Sequence, residues 1–358
     1  MLPPPMPGSD PAITTKETVT LGTSALRRPR LVRAAVAAAL VALLAALVVA
    51  SIAFGSRDVQ LHDLVAALSG SADGFDQAAV ARRIPRTLLA LLAGAGLAVS
   101  GAVMQGVTRN PVADPGILGV TTGASLAVVI GMAWFTLTTA TAFIQVAIVG
   151  AGLTAVGVYL IGSLGRDGPT PLKLTLAGAA TSAALVSATS AVLLPRTDIA
   201  DGARSWLIGG VGGGTAESLR AVAPFLAVGF VISLLAAQGL NALALGDELA
   251  AGLGQRVAVM RAAAAFGAVI LAGAVTAVTG PIAFVGLVIP HVCRLLAGPD
   301  HRWLLPLSAL GGACLLIAAD VLGRIVARPE EIDVGVITAL IGAPFFIAIV
   351  RRQKVRAL

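Results

Sequence analysis

Asp320 and Arg324 are the charged residues whose placement could do chemistry inside an apolar stretch of this chain. Asp320 lies in the run LLIAADVLGRIVAR, and an acid at such a place in a membrane is typical of a proton relay or an ion site. Arg324 follows four residues later on the same helical face, where it can neutralise the acid. The spacing leaves two interpretations open, a structural ion pair and a proton carrier, and it favours the pair.

Histidines and cysteines are the other candidates for chemistry, because both residue types bind metals. His291 and Cys293 are two residues apart and cannot share a helical face, so no metal site is predicted. Cys293 and Cys314 both fall in apolar segments, which favours packed thiols over a disulfide. No lysine follows a glycine, so the chain has no P-loop, and HExxH and GxSxG are also absent. We therefore predict no enzyme, and no cofactor or metal bound by this chain.

The elements that position these residues must be membrane helices. The chain has 358 residues, of which 57% are hydrophobic and 12% charged, and its mean hydropathy of +0.93 excludes a soluble domain. Apolar runs near the roughly 20 residues of a spanning helix predict an all-α integral membrane protein with about ten crossings. One short run is interrupted by Pro290 and could be bent or re-entrant. The runs are 34–55, 86–107, 116–135, 142–163, 173–194, 219–240, 258–279, 282–297, 303–323 and 335–350.

The distribution of positive charge predicts the topology. With ten crossings, 16 of the 25 lysines and arginines lie on the side of the two termini, which leaves 9 on the opposite side. Both termini are therefore predicted to be cytoplasmic, and the net charge of +7 requires no nucleic-acid partner. The predicted organisation is a disordered cytoplasmic tail at 1–32, a transmembrane domain at 33–352 and a basic cytoplasmic tail at 353–358.

The segment LNALALGDELAAGLG, residues 240–254, predicts a short cytoplasmic helix between the sixth and seventh runs. Asp247 and Glu248 suit the positive end of a helix, and Gly254 suits its stop. Leu249 and Leu253 share one face at a spacing of four residues. That face could bind another protein or lie on the membrane surface, and the residues alone do not decide between them.

Two segments rich in proline and glycine predict breaks in the helices. RNPVADPGILGV at 109–120 predicts a break at Asn110-Pro111 and a new helix from Pro115, with Asp114 as its cap. TGPIAFVGLVIPHVCRLLAGPDHRWLLP at 279–306 predicts a turn and then a broken helix at a polar cytoplasmic mouth, where the histidines form interfacial hydrogen bonds. The residues of this second segment that carry the prediction are Gly280, Pro281, Pro290, His291 and Arg294.

Five arginines lie beside helix ends on the side opposite the termini. Their guanidinium groups could bind lipid phosphates or hold carboxylates of another protein. These arginines are Arg82, Arg83, Arg86, Arg324 and Arg328.

Three blocks, in the right order, resemble the FecCD family, the permease subunits of ABC importers for ferric siderophores, haem or cobalamin. The second segment is similar to the family signature GPIxFVGLxxPHxxR almost letter for letter, and RNPVADPGILGV and GDELAAGLG are the other two blocks. The resemblance covers residues 33–352 and implies a type II importer permease. The resemblance assigns ten residues of these blocks to the signature turns of the family: Asn110, Pro111, Asp114, Pro115, Gly116, Gly280, Pro281, Pro290, His291 and Arg294.

The resemblance also implies partners and site residues. Two permease copies or paralogues would form the pore in the bacterial plasma membrane, an ATPase dimer would bind ATP and Mg²⁺, and an extracytoplasmic binding protein would deliver the chelate. Gate residues cannot be carried over, because 164–173 reads LGRDGPTPLK. A ferric siderophore is the favoured substrate, and a proton-coupled secondary transporter that uses Asp320 is the alternative function. The implied ATPase-coupling residues are Gly246, Asp247, Glu248, Leu249, Leu253 and Gly254, and the implied binding-protein contacts are Arg83, Arg86 and Arg324.

Overall fold

A computed structural model describes residues 29–55, residues 75–164 except 117, 136 and 138, and residues 170–353. The described residues form thirteen α-helices. They are α1 Arg30–Ala53, α2 Phe75–Thr108, α3 Val120–Trp134, α4 Ala140–Ser163, α5 Pro171–Leu193, α6 Thr197–Ile208, α7 Ala216–Leu235, α8 Ala237–Leu243, α9 Asp247–Gly252, α10 Val257–Thr279, α11 Val285–Ala297, α12 His301–Val326 and α13 Val334–Gln353.

The all-α membrane class is confirmed, whereas the count of ten crossings is not. Among the described residues, seven helices are long and apolar enough to cross a membrane: α1, α2 from Arg82 onward, α4, α5, α7, α10 and α12. The other three predicted runs form the shorter apolar helices α3, α11 and the Val334–Ala348 part of α13. Helix α11 has 13 residues, which agrees with the expectation that 282–297 is not an ordinary span.

The predicted tails lie mostly outside the described residues. Residues 1–28 and 354–358 are not described, and α1 already begins at Arg30, so the end of the segment predicted as a tail is helical. Helix α13 continues through Gln353, the first residue of the predicted C-terminal tail.

The core forms where α2 packs against α10, α11 and α12. In a membrane, lipid gives helices little hydrophobic reason to associate, so the attraction must come from close packing of their backbones. Small residues at the contacts allow α2 to approach its neighbours that closely. A Cβ atom at Gly94 would overlap the carbonyl of Gly312 on α12, and one at Gly101 would overlap the carbonyl of Gly286 on α11. Helix α2 is thus held against two neighbours at backbone contact, and most of it is buried.

Candidate functional site at the two ends of the helix bundle

Polar side chains collect at both ends of the bundle, and α2 runs between them. Arg86 lies about three turns after the start of α2, and Arg109 directly follows its last residue. At 1.5 Å per residue the two positions are about 35 Å apart. The end that carries α9 is called the α9 end below, and the other is called the Arg86 end.

At the α9 end, the predicted short helix is present as α9, Asp247–Gly252. The backbone of Gly254 has a φ of +81° and ends the helix, with the N–H of Gln255 donating to the carbonyl of Ala250 at 3.0 Å. Ala250 is buried, whereas the side chains of Leu249 and Leu253 are 61% and 65% exposed. Leu249 on the helix and Leu253, which directly follows it, are therefore exposed, while Ala250 holds the helix against the bundle.

Asp247 has a second role that its position in the sequence did not reveal. Its carboxylate is held between two arginines from different helices: Arg109 at the end of α2, and Arg261 of α10, whose Nη2 lies 3.0 Å from Asp247 Oδ1. Arg109 is 138 residues from Asp247 in the chain, whereas Arg261 is only 14 residues away. The ion pair with Arg109 therefore connects α9 to an element that is distant in sequence. The start of α9 is therefore held by two ion pairs, one to Arg109 and one to Arg261.

The segment after α2 corrects one prediction. Helix α3 begins at Val120 and not at Pro115, because Gly119 has a φ of +78° that interrupts the helical path. Asp114 is buried and does not cap a helix: its Oδ1 accepts a hydrogen bond from the N–H of Gly116 at 2.8 Å and so closes a turn.

Two further signature residues act in the same segment. The Oδ1 of Asn110 accepts from the N–H of Val112 at 3.1 Å, and its Nδ2 donates to Thr175 Oγ1 at 3.3 Å. Pro111 lies in the turn that these bonds close. The turn is therefore joined to α5.

Helix α11 corrects a second prediction, since it runs through Pro290 without a break. A proline at this position leaves the carbonyl of Gly286 without its helical donor. The Nε2 of Gln105 supplies that hydrogen bond at 3.1 Å, while its Oε1 accepts from Arg294 Nη2 at 2.8 Å. Gln105, which no sequence motif indicated, therefore holds the second segment against α2.

The other predicted residues of the second segment lie apart from Gln105: Gly280 and Pro281 form a turn, and His291 packs against an aromatic ring. Gly280 has a φ of +70°, which with Pro281 gives the predicted turn between α10 and α11. The ring of His291 meets that of Phe345 edge to face, with 5.9 Å between the centroids. Among the described residues no group of three or more metal-ligating side chains occurs, and both cysteines are free and buried.

A hydrogen-bond chain at the α9 end joins α1, α8 and α12. The Nδ2 of Asn241 donates to Asp300 Oδ1 at 2.7 Å, and its Oδ1 lies 2.9 Å from both the N–H and the Nδ1 of His301. The Nη1 of Arg33 lies 3.5 Å from Asp300 Oδ2. Burial alone would raise the pKa of Asp300, but the hydrogen bonds from Asn241 and the N–H of Arg302, with the charges of Arg33 and Arg302, lower it.

At the Arg86 end, the arginines cap α1. The last carbonyls of a helix have no helical donor. Arg83 Nη1 donates to the carbonyls of Ile52 and Ala53, both at 3.0 Å, and Arg324 Nη1 donates to those of Ser51 and Phe54, both at 3.0 Å. Arg328 Nη2 completes the set by donating to the carbonyl of Gly55 at 2.6 Å. Arginine charge at a helix C-terminus also stabilises the helix dipole.

Asp320 lies between two arginines. Its Oδ2 is 2.7 Å from Arg324 Nη2, an ion pair without hydrogen-bond alignment, and its Oδ1 accepts from Arg86 Nε at 2.9 Å. The predicted pair with Arg324 is present, and Arg86 is a partner that helical spacing could not reveal. Arg86 Nη1 also donates to Glu331 Oε2 at 2.6 Å.

The three predicted docking arginines lie together but differ in exposure. Arg83 and Arg324 are buried, with 7% and 2% of their surface exposed, whereas the side chain of Arg86 is 15% exposed. Arg83 and Arg324 therefore have a structural role in capping α1. Contact of these arginines with a binding protein stays a prediction.

A cavity of about 400 Å³ lies between α3, α5 and α6. Hydroxyl groups line part of it, and several of them donate to carbonyls of their own helices, as Ser125 does to Thr121 and Thr189 to Leu185. Arg204 and Pro281 also line this cavity. Its surface thus combines apolar groups with oxygen acceptors.

Long apolar helices around a core of small residues, with polar clusters at both ends, are the features of a multi-pass membrane protein. The chain belongs to the FecCD transport family, which it matches over residues 43–352. Its function is therefore that of a transporter permease subunit, and the proton-coupled alternative finds no support in the family or in Asp320, which two arginines hold.

Relatives and a solved structure agree with this assignment. The chain is 40% identical over 304 residues to the ferric enterobactin transport system permease protein FepD of Escherichia coli, covering 85% of this chain and 91% of that protein. It is 42% identical over 280 residues to the hemin transport system permease protein HmuU of Yersinia pestis, covering 76% and 82%. A metal-chelate type ABC transporter solved in an inward-facing conformation superposes with a TM-score of 0.75 at 29% identity, covering 89% of this chain and 99% of that one.

Proposed function

We propose that this chain forms the translocation pathway of an ATP-driven ABC importer for an iron chelate. The observation that carries the proposal is the family match across residues 43–352, together with relatives named for siderophore, citrate and haem transport. A ferric siderophore is the proposed substrate, and haem and cobalamin are the alternatives to test. The chain itself binds no cofactor in this proposal, and ATP and Mg²⁺ belong to a partner ATPase dimer.

Helix α9 is the proposed contact with the ATPase. Leu249 and Leu253 are exposed on a short helix whose start is clamped by arginines, which supports a docking role over a helix lying loosely on the membrane. Glu248, beside them, adds an exposed charge. Gly246 and Gly254 bound the contact. Closure of the ATPases would then displace α9 and shift the helices around the pathway.

The Arg86 end is the proposed contact with an extracytoplasmic binding protein. Of the three predicted docking arginines, Arg86 has the most exposed side chain, and it already holds a carboxylate, Glu331, in an exposed hydrogen bond. A glutamate of the binding protein could take the same position. Arg83 and Arg324 would support the site by holding the end of α1 behind it.

The proposed orientation follows from these contacts and from the charge distribution. The α9 end faces the cytoplasm together with both termini, and the Arg86 end faces outward. A second copy of the chain or a paralogue completes the pathway. Exposed apolar residues on α4 and α5, such as Leu153, Leu160 and Leu176, are suited to contact lipid or that second subunit.

Reconstitution tests the proposal directly. The permease with its ATPase is placed in proteoliposomes, and uptake of a radiolabelled catecholate siderophore, haem and cobalamin is measured with binding protein outside and ATP inside. The proposal expects uptake of one ligand that requires ATP and is indifferent to a pH gradient. Uptake driven by a pH gradient in the absence of ATP would refute it.

A further inference from the structure

Arg109 has a backbone conformation that its residue type does not favour. Its φ is +50°, in the left-handed region, and it directly follows the last residue of α2. The N–H of Asn110 donates to the carbonyl of Gln105 at 3.2 Å, which is the helix-ending hydrogen bond that usually surrounds a glycine. A glycine would be less strained at this position, so the observed strain points to a use for the side chain.

The side chain of Arg109 makes a contact that no local element requires. Its Nη2 forms an ion pair with Asp247 Oδ1 at the start of α9. Helix α9 otherwise packs against α8 and α10, its neighbours in the chain. Arg261 also binds Asp247, but it lies on α10 and so strengthens a connection that the chain already makes. Arg109 instead joins α9 to α2, which is distant in sequence.

Helix α2 can carry a displacement from this point to the rest of the bundle. One turn before Arg109, Gln105 is bonded to the carbonyl of Gly286 and to Arg294, both on α11. About six turns before Arg109, Arg86 binds Asp320 on α12. A displacement of Asp247 could therefore be transmitted through the mostly buried helix α2 to α11 and α12.

We propose that Arg109 is a positioning residue that transmits movement of α9 into α2. The inference rests on the proposed function, in which α9 contacts the ATPase. It assigns to Arg109 the coupling of ATP hydrolysis to transport and does not assign to it the binding of the ATPase. If Arg109 merely stabilised the fold through its ion pair with Asp247, its replacement by glycine would lower the melting temperature and the uptake together. If it transmits movement, the melting temperature is kept, because glycine relieves the backbone strain at this φ and the lost ion pair is partly exposed.

Arg109→Gly separates these roles. The full importer is purified and reconstituted, and three quantities are measured: ATPase co-purification, melting temperature, and uptake of a radiolabelled catecholate siderophore per ATP hydrolysed. Arg256→Ala is the matched control, because Arg256 is an exposed arginine on the connection between α9 and α10 and its loss removes the same charge. Arg109→Lys, which keeps the charge, tests for partial rescue.

The expected result is specific to coupling. Arg109→Gly retains the ATPase, melts at or above the wild-type temperature and continues to hydrolyse ATP, while uptake per ATP falls at least tenfold. Arg256→Ala behaves as wild type, and Arg109→Lys recovers part of the loss. The inference is overturned if uptake per ATP is unchanged, if the ATPase is lost, or if the melting temperature falls with the uptake. Wild-type protein that takes up neither this siderophore nor haem nor cobalamin at the expense of ATP would instead refute the proposed function.

Discussion

Replacing Asp320 by asparagine tests the buried charge network at the Arg86 end. The Asp320 side chain has no exposed surface and lies between Arg86 and Arg324. Asparagine keeps the size of the side chain but removes the negative charge that both arginines share. Two guanidinium groups, one of them almost fully buried, are then left without a counter-charge from α12.

The structure sets the size of the effect. Removing one partner of a buried ion pair typically costs about 3–5 kcal/mol. Arg324 keeps hydrogen bonds to the carbonyls of Ser51 and Phe54, and Arg86 keeps its bond to Glu331, so the loss should lie near the lower limit, at about 3 kcal/mol. The matched control is Glu331→Gln, which removes an exposed carboxylate from Arg86 and should cost no more than about 1 kcal/mol.

Thermal unfolding of the purified permease in detergent compares the two variants. Asp320→Asn should melt clearly below Glu331→Gln, and its remaining transport should still require ATP and ignore the proton gradient. If both variants melt at the wild-type temperature, the network does not stabilise the fold and our reasoning about buried charge is wrong. If Asp320→Asn instead abolishes only a response to the pH gradient, Asp320 carries protons.

Three further predictions concern the two ends. Leu253→Asp should reduce ATPase co-purification at least tenfold without changing membrane insertion, because a charge would replace an exposed apolar contact; normal co-purification would exclude α9 as the docking helix. Glu331→Gln should tighten binding-protein association severalfold at low salt by freeing Arg86, and the exposed Glu330→Gln should not; equal affinities in surface plasmon resonance would count against docking at Arg86. The lowered pKa of Asp300 stabilises the fold above the ordinary carboxyl value of 3.8, and this contribution is lost as the pH falls through the folded-state pKa. Asp300→Asn should therefore destabilise at pH 7 and flatten the acid limb of a pH–stability curve; an unchanged limb would contradict it.

Most helix positions could be predicted, because the length of an apolar run and the prolines and glycines that interrupt it can be read locally from the sequence. Every predicted apolar run contains a helix. The acids Asp247 and Glu248, with Gly254, were enough to predict the six-residue helix α9. The lengths of α3 and α11 were harder to predict. They depend on Gly119 and on the left-handed conformation of Phe284, which precedes α11, and such a conformation is not evident for a phenylalanine in sequence.

The side-chain partners were less predictable, since they join residues far apart in the chain. Helical spacing revealed Arg324 as a partner of Asp320, but Arg86 is 234 residues away. Likewise Gln105 donates the hydrogen bond that Pro290 cannot, to the carbonyl of Gly286, which is 181 residues away. The prediction that Pro290 breaks its helix was wrong because only the folded chain supplies that hydrogen bond. Burial of Arg83 and Arg324 followed from their role at the end of α1, which no motif described.

The backbone contacts between α2 and its neighbours limit where a substrate can pass. Gly94 and Gly312 touch carbonyl to Cα, so no side chain, and still less a bulky chelate, fits between α2 and α12. The contact of Gly101 with Gly286 closes the gap to α11 in the same way. A route across the membrane therefore cannot pass between α2 and α12 or between α2 and α11 at these glycines. In the proposed importer the pathway would run elsewhere along this subunit, and a second permease subunit would supply its facing side.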